Sequence, residues 1–97
     1  MTTRIPAVPT LQAEDERFRI TKWTFAPGAE TGWHTHEHPY CVVGLKDGQL
    51  TVETAEGSGA FQYELGLSAI RTPGATHNVV NENDSEFSFV EIEYLGA

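Results

Sequence analysis

The sequence is short of bases, of cysteine and of long apolar runs, and each shortage closes off a class of function. Lysine and arginine number 6 against 14 acids, for a net charge of −8. The cations, Arg4, Arg17, Arg19, Lys22, Lys46 and Arg71, form no cluster. Nucleic-acid binding needs Lys and Arg concentrated on one face, and attraction to an anionic membrane surface needs the same. Neither partner is expected. A lone cysteine, Cys41, cannot close an internal disulfide, which suits a reducing compartment. No apolar stretch approaches the roughly 20 residues of a membrane-spanning helix. The opening "MTTRIPAVPTLQAEDE" also lacks the apolar region of a secretory signal. The chain is therefore read as cytoplasmic. "EGSGA" lacks the strand-to-helix setting of a phosphate loop, and Ser58, Ser68, Ser85 and Ser88 have no nucleophile-elbow context. Nucleotide binding and serine hydrolysis are set aside.

What is present is enough for one core. At 97 residues and 39% hydrophobic, the chain allows one globular domain and no second one. Residues 1–15, with two prolines and the acidic "AEDE", read as an N-terminal arm that is ordered only if it docks. Residues 16–97 read as the domain. Turn signals are dense: "APGAETG", "KDG", "AEGSGA", "TPGA" and "NENDS". Between them lie short runs with β-branched and aromatic residues: "RFRITKWTF", "YCVVGL", "QLTVET", "FQYEL", "HNVV" and "EFSFVEIEYL". No helical pattern of useful length occurs. Many short strands with frequent turns predict an all-β sandwich or barrel.

"CVVGLKDGQLTVE" reads as a hairpin turning at Asp47-Gly48, with Leu50 and Val52 on its buried face. The last strand carries apolar residues at both parities, Phe87 and Phe89 on one and Val90, Ile92 and Tyr94 on the other. Either a bulge switches its faces or both faces are covered, and the second option implies a partner subunit.

Three of the four histidines fall in "TGWHTHEHPYC", at positions 34, 36 and 38. Residues two apart on a strand share a side, so His34 and His36 project together while Trp33 and Thr35 face away. Two neutral imidazoles on one face can chelate a divalent ion. His38 shares their parity, but Pro39 bends the chain and puts it at the site's edge. His77, after the "TPGAT" turn, begins "HNVV" and is the available third ligand. A His-x-His pair by itself occurs by chance, and most histidines are surface or satisfied polar groups.

The wider pattern resembles the cupin family. Its first motif is matched by Gly28, five residues, His34-Thr-His36, four residues, Cys41, six residues and Gly48. Its second is matched by Gly66, five residues, Thr72-Pro73-Gly74, two residues, His77, three residues and Asn81, with Pro73 displaced by one from the family's proline slot. More loosely, "GWHTHEHPYCVV" and "HNVVNEND" look like the small single-domain cupins linked with β-alanine degradation, a link that names a pathway more than a reaction. The resemblance implies a cupin-type double-stranded β-helix, a small jelly-roll barrel with a metal inside, usually a homodimer.

One departure stands out. The family's glutamate ligand is absent, and Cys41, or Tyr40 at the shorter spacing, occupies its slot. Three readings stay open: a neutral three-His site with free positions, thiolate ligation by Cys41 that would favour zinc, or a degenerate metal-free site. A three-His site resembles those of the cupin thiol and diketone dioxygenases. The preferred reading is a three-His site of His34, His36 and His77 with Cys41 packed beside it.

Other residues carry paired readings. Tyr40 could place a phenol near the metal for proton transfer, or simply pack at a strand start. Arg71 could take a substrate carboxylate in its fork, or stand solvated before a loop. Trp23, Phe25, Phe87 and Phe89 could line a pocket or fill the core. Trp33 is placed between sheets or at a dimer interface. Glu37 is read as exposed, and Asn81 as a turn cap.

The expectation is a small metalloenzyme acting on a small-molecule substrate. Its ion is divalent, Fe(II) first, with nickel, zinc or manganese as alternatives. Dioxygenase chemistry leads over isomerase or lyase chemistry, and Tyr40, Cys41 and His38 tune the open positions. The competing expectations are a non-catalytic small-ligand-binding or sensing module, which the shortness of the loops favours, and a metal-free structural dimer.

Overall fold

A computed structural model describes residues 4–96. These residues form nine strands and no helix: β1 (Val8–Glu14), β2 (Phe18–Phe25), β3 (His34–Thr35), β4 (Tyr40–Gly44), β5 (Gly48–Thr54), β6 (Gly57–Tyr63), β7 (Ser68–Arg71), β8 (Thr76–Val80) and β9 (Phe87–Tyr94). They build a five-stranded sheet in the order β1-β2-β9-β4-β7 and a four-stranded sheet in the order β3-β8-β5-β6. All the pairings between these strands are antiparallel. The two facing sheets are the double-stranded β-helix that the resemblance implied.

The core lies between the sheets and follows from alternation along β2 and β9. Their inward side chains stand opposite one another as Phe25 with Phe87, Trp23 with Phe89, and Thr21 with Glu91. Phe25 and Phe87 are fully buried, with Leu50 from β5 and Val80 from β8. Tyr63 of β6 closes on the same cluster, its ring 5.2 Å from Phe87 and 5.7 Å from Phe89. Burying side chains of this size supplies roughly 1.5–3 kcal/mol each. Moving along the β2–β9 pair from Phe25 to Thr21, the interior changes from aromatic core to polar cavity.

The register reshapes several sequence-level expectations. β4 and β5 do not form the hairpin expected at Asp47-Gly48. β4 pairs with β7 and β9, whereas β5 pairs with β6 and β8, so residues 45–47 carry the chain from one sheet to the other. The crossing is tied down at each residue type that suggested a turn. Lys46 donates to the Glu86 carbonyl, and Asp47 accepts from the Leu65 amide at 2.9 Å. Gly48 has φ +152°, and a Cβ there would lie 3.0 Å from the Phe87 ring. The glycine permits the close approach and the backbone angle, but serves a sheet-to-sheet crossing. "AEGSGA" is a loop only at Ala55-Glu56, because β6 starts at Gly57 and pairs along the whole of β5. "SAIR" forms β7, which the sequence reading did not include. Within the expected arm, residues 8–14 form β1, paired with β2 through a register shift between Leu11 and Ala13.

The two parities of the last strand need no bulge. β9 pairs continuously with β2 from Phe87 to Tyr94. Its inner face carries Phe87, Phe89 and Glu91, and its outer face carries Val90 and Ile92. On that outer face a row runs across four strands, Ile20 beside Ile92, Ile92 beside Cys41, and Cys41 beside Ile70. Ile70 is 78% exposed.

Asn81 does more than cap a turn. Fully buried, it donates to the carbonyls of Phe25, Ala26 and Ser85 at 3.1, 3.3 and 2.9 Å, and accepts from the Asn83 amide at 3.0 Å. Asn81→Ala leaves these buried partners without a mate. It is expected to lower unfolding free energy by about 2–4 kcal/mol, read as a reduced urea midpoint at unchanged m-value.

Candidate metal centre

His34 on β3 stands directly opposite His77 on β8. Past the short strand the pairing continues through His36, whose amide donates to the Ala75 carbonyl at 3.0 Å and whose carbonyl accepts from the Gly74 amide at 2.8 Å. This extended path puts His34 and His36 on the inner side, while Thr35 meets Thr76 outside at 2.7 Å. Cross-strand register and two-residue alternation together converge three imidazoles.

Their Nε2 atoms meet. His36 Nε2 lies 3.0 Å from that of His34 and 3.0 Å from that of His77. The three potential ligand atoms all lie within 4.8 Å of one another. Hydrogen bonding alone does not explain the arrangement. His34 Nδ1 faces the Gly32 carbonyl at 2.8 Å, so Nδ1 carries the proton and Nε2 offers a bare lone pair. His36 Nε2 has two nitrogen neighbours and at most one proton, so at least one close N···N contact cannot be a good hydrogen bond. Nitrogens held about 2.1 Å from a common ion at right angles stand about 3.0 Å apart. The two His36 contacts therefore have the spacing of nitrogens sharing one divalent cation, and an all-imidazole donor set suits one of borderline hardness.

The surroundings keep the His36 and His77 rings neutral. Burial, reinforced by the neighbouring histidines, pushes the His36 pKa down to about 4. Burial, then His34 and Arg71, pushes His77 down to about 4. Neutral imidazole is the form with a lone pair for a metal.

A polar lattice holds His34 from behind. Gly32 donates its amide to Asn78 Oδ1 at 2.9 Å. Asn78, 1% exposed, donates to Glu30 at 2.8 Å and Glu53 at 2.9 Å. Arg4 reaches the same carboxylates, at 3.4 Å to Glu30 and 3.1 Å to Glu53. The carbonyl that fixes the His34 tautomer is thus placed by a chain of hydrogen bonds.

The histidines open onto a cavity of about 890 Å³. Tyr40 lines it, stacked on His36 with ring centroids 4.0 Å apart. Burial, then the Glu91 carboxylate, pushes the phenol up to about 12, so it is a hydrogen-bond donor at neutral pH. His38 also lines the cavity but is not part of the three-histidine cluster. Cys41 is turned the other way. Tyr40 and Val42 take the inward positions of β4, and Cys41 falls on the outer face between Ile92 and Ile70. Strand alternation thus removes it from the thiolate-ligand and site roles considered for it. Trp33 is 57% exposed rather than held between the sheets. Phe25 and Phe87 belong to the core, while Trp23 and Phe89 both pack with the core and line the cavity. Glu37 is exposed at the cavity's edge.

One residue escaped the sequence reading. Glu91, 8% exposed on β9, lines the cavity and places Oε1 4.0 Å from His36 Nδ1. Trp23 Nε1 donates to its other oxygen at 3.4 Å. Burial, then the Glu93 carboxylate, raises its pKa to about 7, against partial opposition from the Trp23 bond and Arg19. The signal was present: Glu91 shares the parity of Phe87 and Phe89 and is a charged residue at an inward position.

Comparison with known proteins places this architecture among relatives. The cupin domain family model matches residues 21–93. The β-alanine degradation protein BauB of Pseudomonas aeruginosa is 46% identical over 93 residues, covering 96% of this chain and 98% of that protein. A crystal structure of a cupin domain from Bordetella pertussis superposes with a TM-score of 0.94 at 48% identity, covering 97% of this chain and 98% of the other. The polyketide cyclase RemF from Streptomyces resistomycificus has a TM-score of 0.75 at 16% identity, covering 97% and 71%, which is a likeness of fold.

Glu91 gives a pH prediction for metal-stripped protein. Its folded pKa, about 7, lies above the ordinary value of 4.5. The folded state therefore holds the proton longer than the unfolded state between those values, and stability from this group is lost as pH rises through them. Relative to Glu91→Gln, the native chain is expected to lose several degrees of Tm between about pH 4.5 and 7 in paired thermal melts. A pH-independent difference would place the carboxylate in contact with water.

Proposed function

The chain belongs to the cupin family, and from that premise we propose that it is a metal-dependent enzyme of dioxygenase type acting on a small metabolite. The observation that carries this reading is the convergence of His34, His36 and His77 at the wall of an open cavity. These three Nε2 atoms would hold the ion, Fe(II) in the leading version, with nickel, zinc or manganese as alternative occupants of the same nitrogens. When bound, such an ion supplies Lewis acidity, and iron adds redox chemistry with dioxygen.

The chain's own residues supply the rest. Tyr40, protonated against the His36 ring, donates a hydrogen bond into the cavity. Glu91, poised near neutral pH, takes up or releases a proton at its carboxylate oxygen. Trp23, Val42, Val52, Val79 and Phe89 give the cavity an apolar wall that displaces water around a small substrate. The association of BauB with β-alanine degradation supports small metabolites of that kind as substrates.

The same reading includes a homodimer formed through the outer face of the five-stranded sheet. The row Ile20, Ile92, Cys41 and Ile70 is apolar where a solvated sheet face would alternate with polar groups. Ile70→Glu with Ile92→Lys is expected to convert a dimer to a monomer in light scattering. A native chain that elutes as a monomer at high concentration would remove the dimer.

Elemental analysis of untagged protein tests the metal. About one divalent ion per chain is expected, with His34→Ala, His36→Ala and His77→Ala each weakening affinity by at least about 100-fold. Oxygen uptake with candidate metabolites then separates the iron version from the zinc one. Native protein that binds none of iron, nickel, zinc or manganese would sink the reading.

A further inference from the structure

Among the described residues, one cation on the cavity wall, Arg71, has no acid partner. Arg71 ends β7 directly opposite Tyr40, on the inward side of the sheet. It lines the cavity, and its guanidinium carbon sits 4.7 Å over the centre of the Phe61 ring. A cation–π contact of this kind restrains the guanidinium and leaves its N–H groups available to a ligand. Among the described residues no hydrogen bond or ion pair is made by those donors. The other cation lining the cavity, Arg19, is already held by Glu14 at 3.2 Å and Glu93 at 3.6 Å. Arg4, outside the cavity, is likewise held by carboxylates.

An inward, pre-oriented guanidinium without an acid partner in so acidic a chain calls for an anion from outside. The remaining charges on the wall restrict that anion. Glu37, Glu56 and Glu93 also line the cavity, and they disfavour a second negative group on the ligand. The apolar wall takes an uncharged body. Tyr40 bridges the two parts of the site, with Arg71 beside it across the strand pair and the His36 ring stacked on its face. We infer that Arg71 is the anchor for the carboxylate of a small monocarboxylate substrate, whose other end is thereby directed toward the histidine cluster.

This inference rests on the proposed function in taking the cavity as the active site, and its test separates the two. Acetate, propionate, butyrate and valerate are titrated against their primary amides by chemical-shift perturbation in labelled protein. Zinc-loaded and chelator-treated samples are run side by side, with metal content measured on each. At least one carboxylate is expected to bind about tenfold or more tighter than its amide in both samples, and Arg71→Gln is expected to remove that preference. Equal affinities in the native chain, or a preference that survives Arg71→Gln, overturn the inference. A preference seen only with zinc and indifferent to Arg71→Gln overturns it by assigning the carboxylate to the metal, and leaves the metal reading intact. A preference lost in Arg71→Gln in a protein that takes up no metal sustains the inference and sinks the metal centre. Should Arg71→Gln fail to fold, Arg71→Lys decides. A drop of about threefold or more in carboxylate affinity at unchanged amide affinity supports the anchor, and no drop overturns it.

Discussion

Three imidazole nitrogens aimed at one point repel each other, and the barrel is arranged to hold them there. The register of β3 against β8 sets His34 opposite His77, and the backbone pairing of residues 36 and 74–75 adds His36. The Gly32 carbonyl fixes one tautomer. Burial keeps His36 and His77 unprotonated near neutral pH, which removes the proton that would otherwise relieve the crowding. The cost of this arrangement is met by rigid surroundings: a closed aromatic core on one side and a hydrogen-bonded carboxylate lattice on the other. Such a pre-set donor group is what a metal site needs to avoid reorganising on binding.

The site was legible where local periodicity carried the information. His34 and His36 were readable because alternation needs only neighbouring residues. His77 could be paired with them through the two family motifs. Cys41 went astray because motif spacing counts residues and ignores which face they occupy. Once β4 is a strand with Tyr40 inward, its neighbour must point out. Glu91 was readable by the same alternation, but its strand offers two apolar faces, and neither announces itself as the inner one. The β4–β5 crossing was hidden for a different reason. Asp47-Gly48 satisfies the local chemistry of a hairpin, and only contacts with Phe87, Glu86 and Leu65, distant in sequence, direct the chain to the other sheet. β1 was obscured by prolines and exposure, since all seven of its residues are exposed and its pairing partner is the only guide to it.

The two faces of the five-stranded sheet divide the labour. Inward positions grade from phenylalanine to tryptophan to glutamate along β2 and β9, and so lead from a dry core to a polar cavity without a break in the pairing. Outward positions on the same strands are apolar in a row that plays no part in the cavity. A single residue's shift in register would exchange these sets. The long unbroken ladder from Phe18 to Phe25 against Phe87 to Tyr94 is what prevents that exchange.

The position of β9 has a consequence for how the molecule is made. It lies in the middle of its sheet, between β2 and β4, yet it is made after all the other described strands. Until residues 87–94 emerge, β2 and β4 each expose an edge that only β9 can cover, and the cavity lacks the wall that carries Glu91. Open edges on apolar strands are sticky, and pairings that span most of a chain form slowly. Synthesis therefore delivers the histidines early into an unfinished barrel, and the nascent chain's exposure to chaperones and to aggregation is set by how long it waits for its central strand.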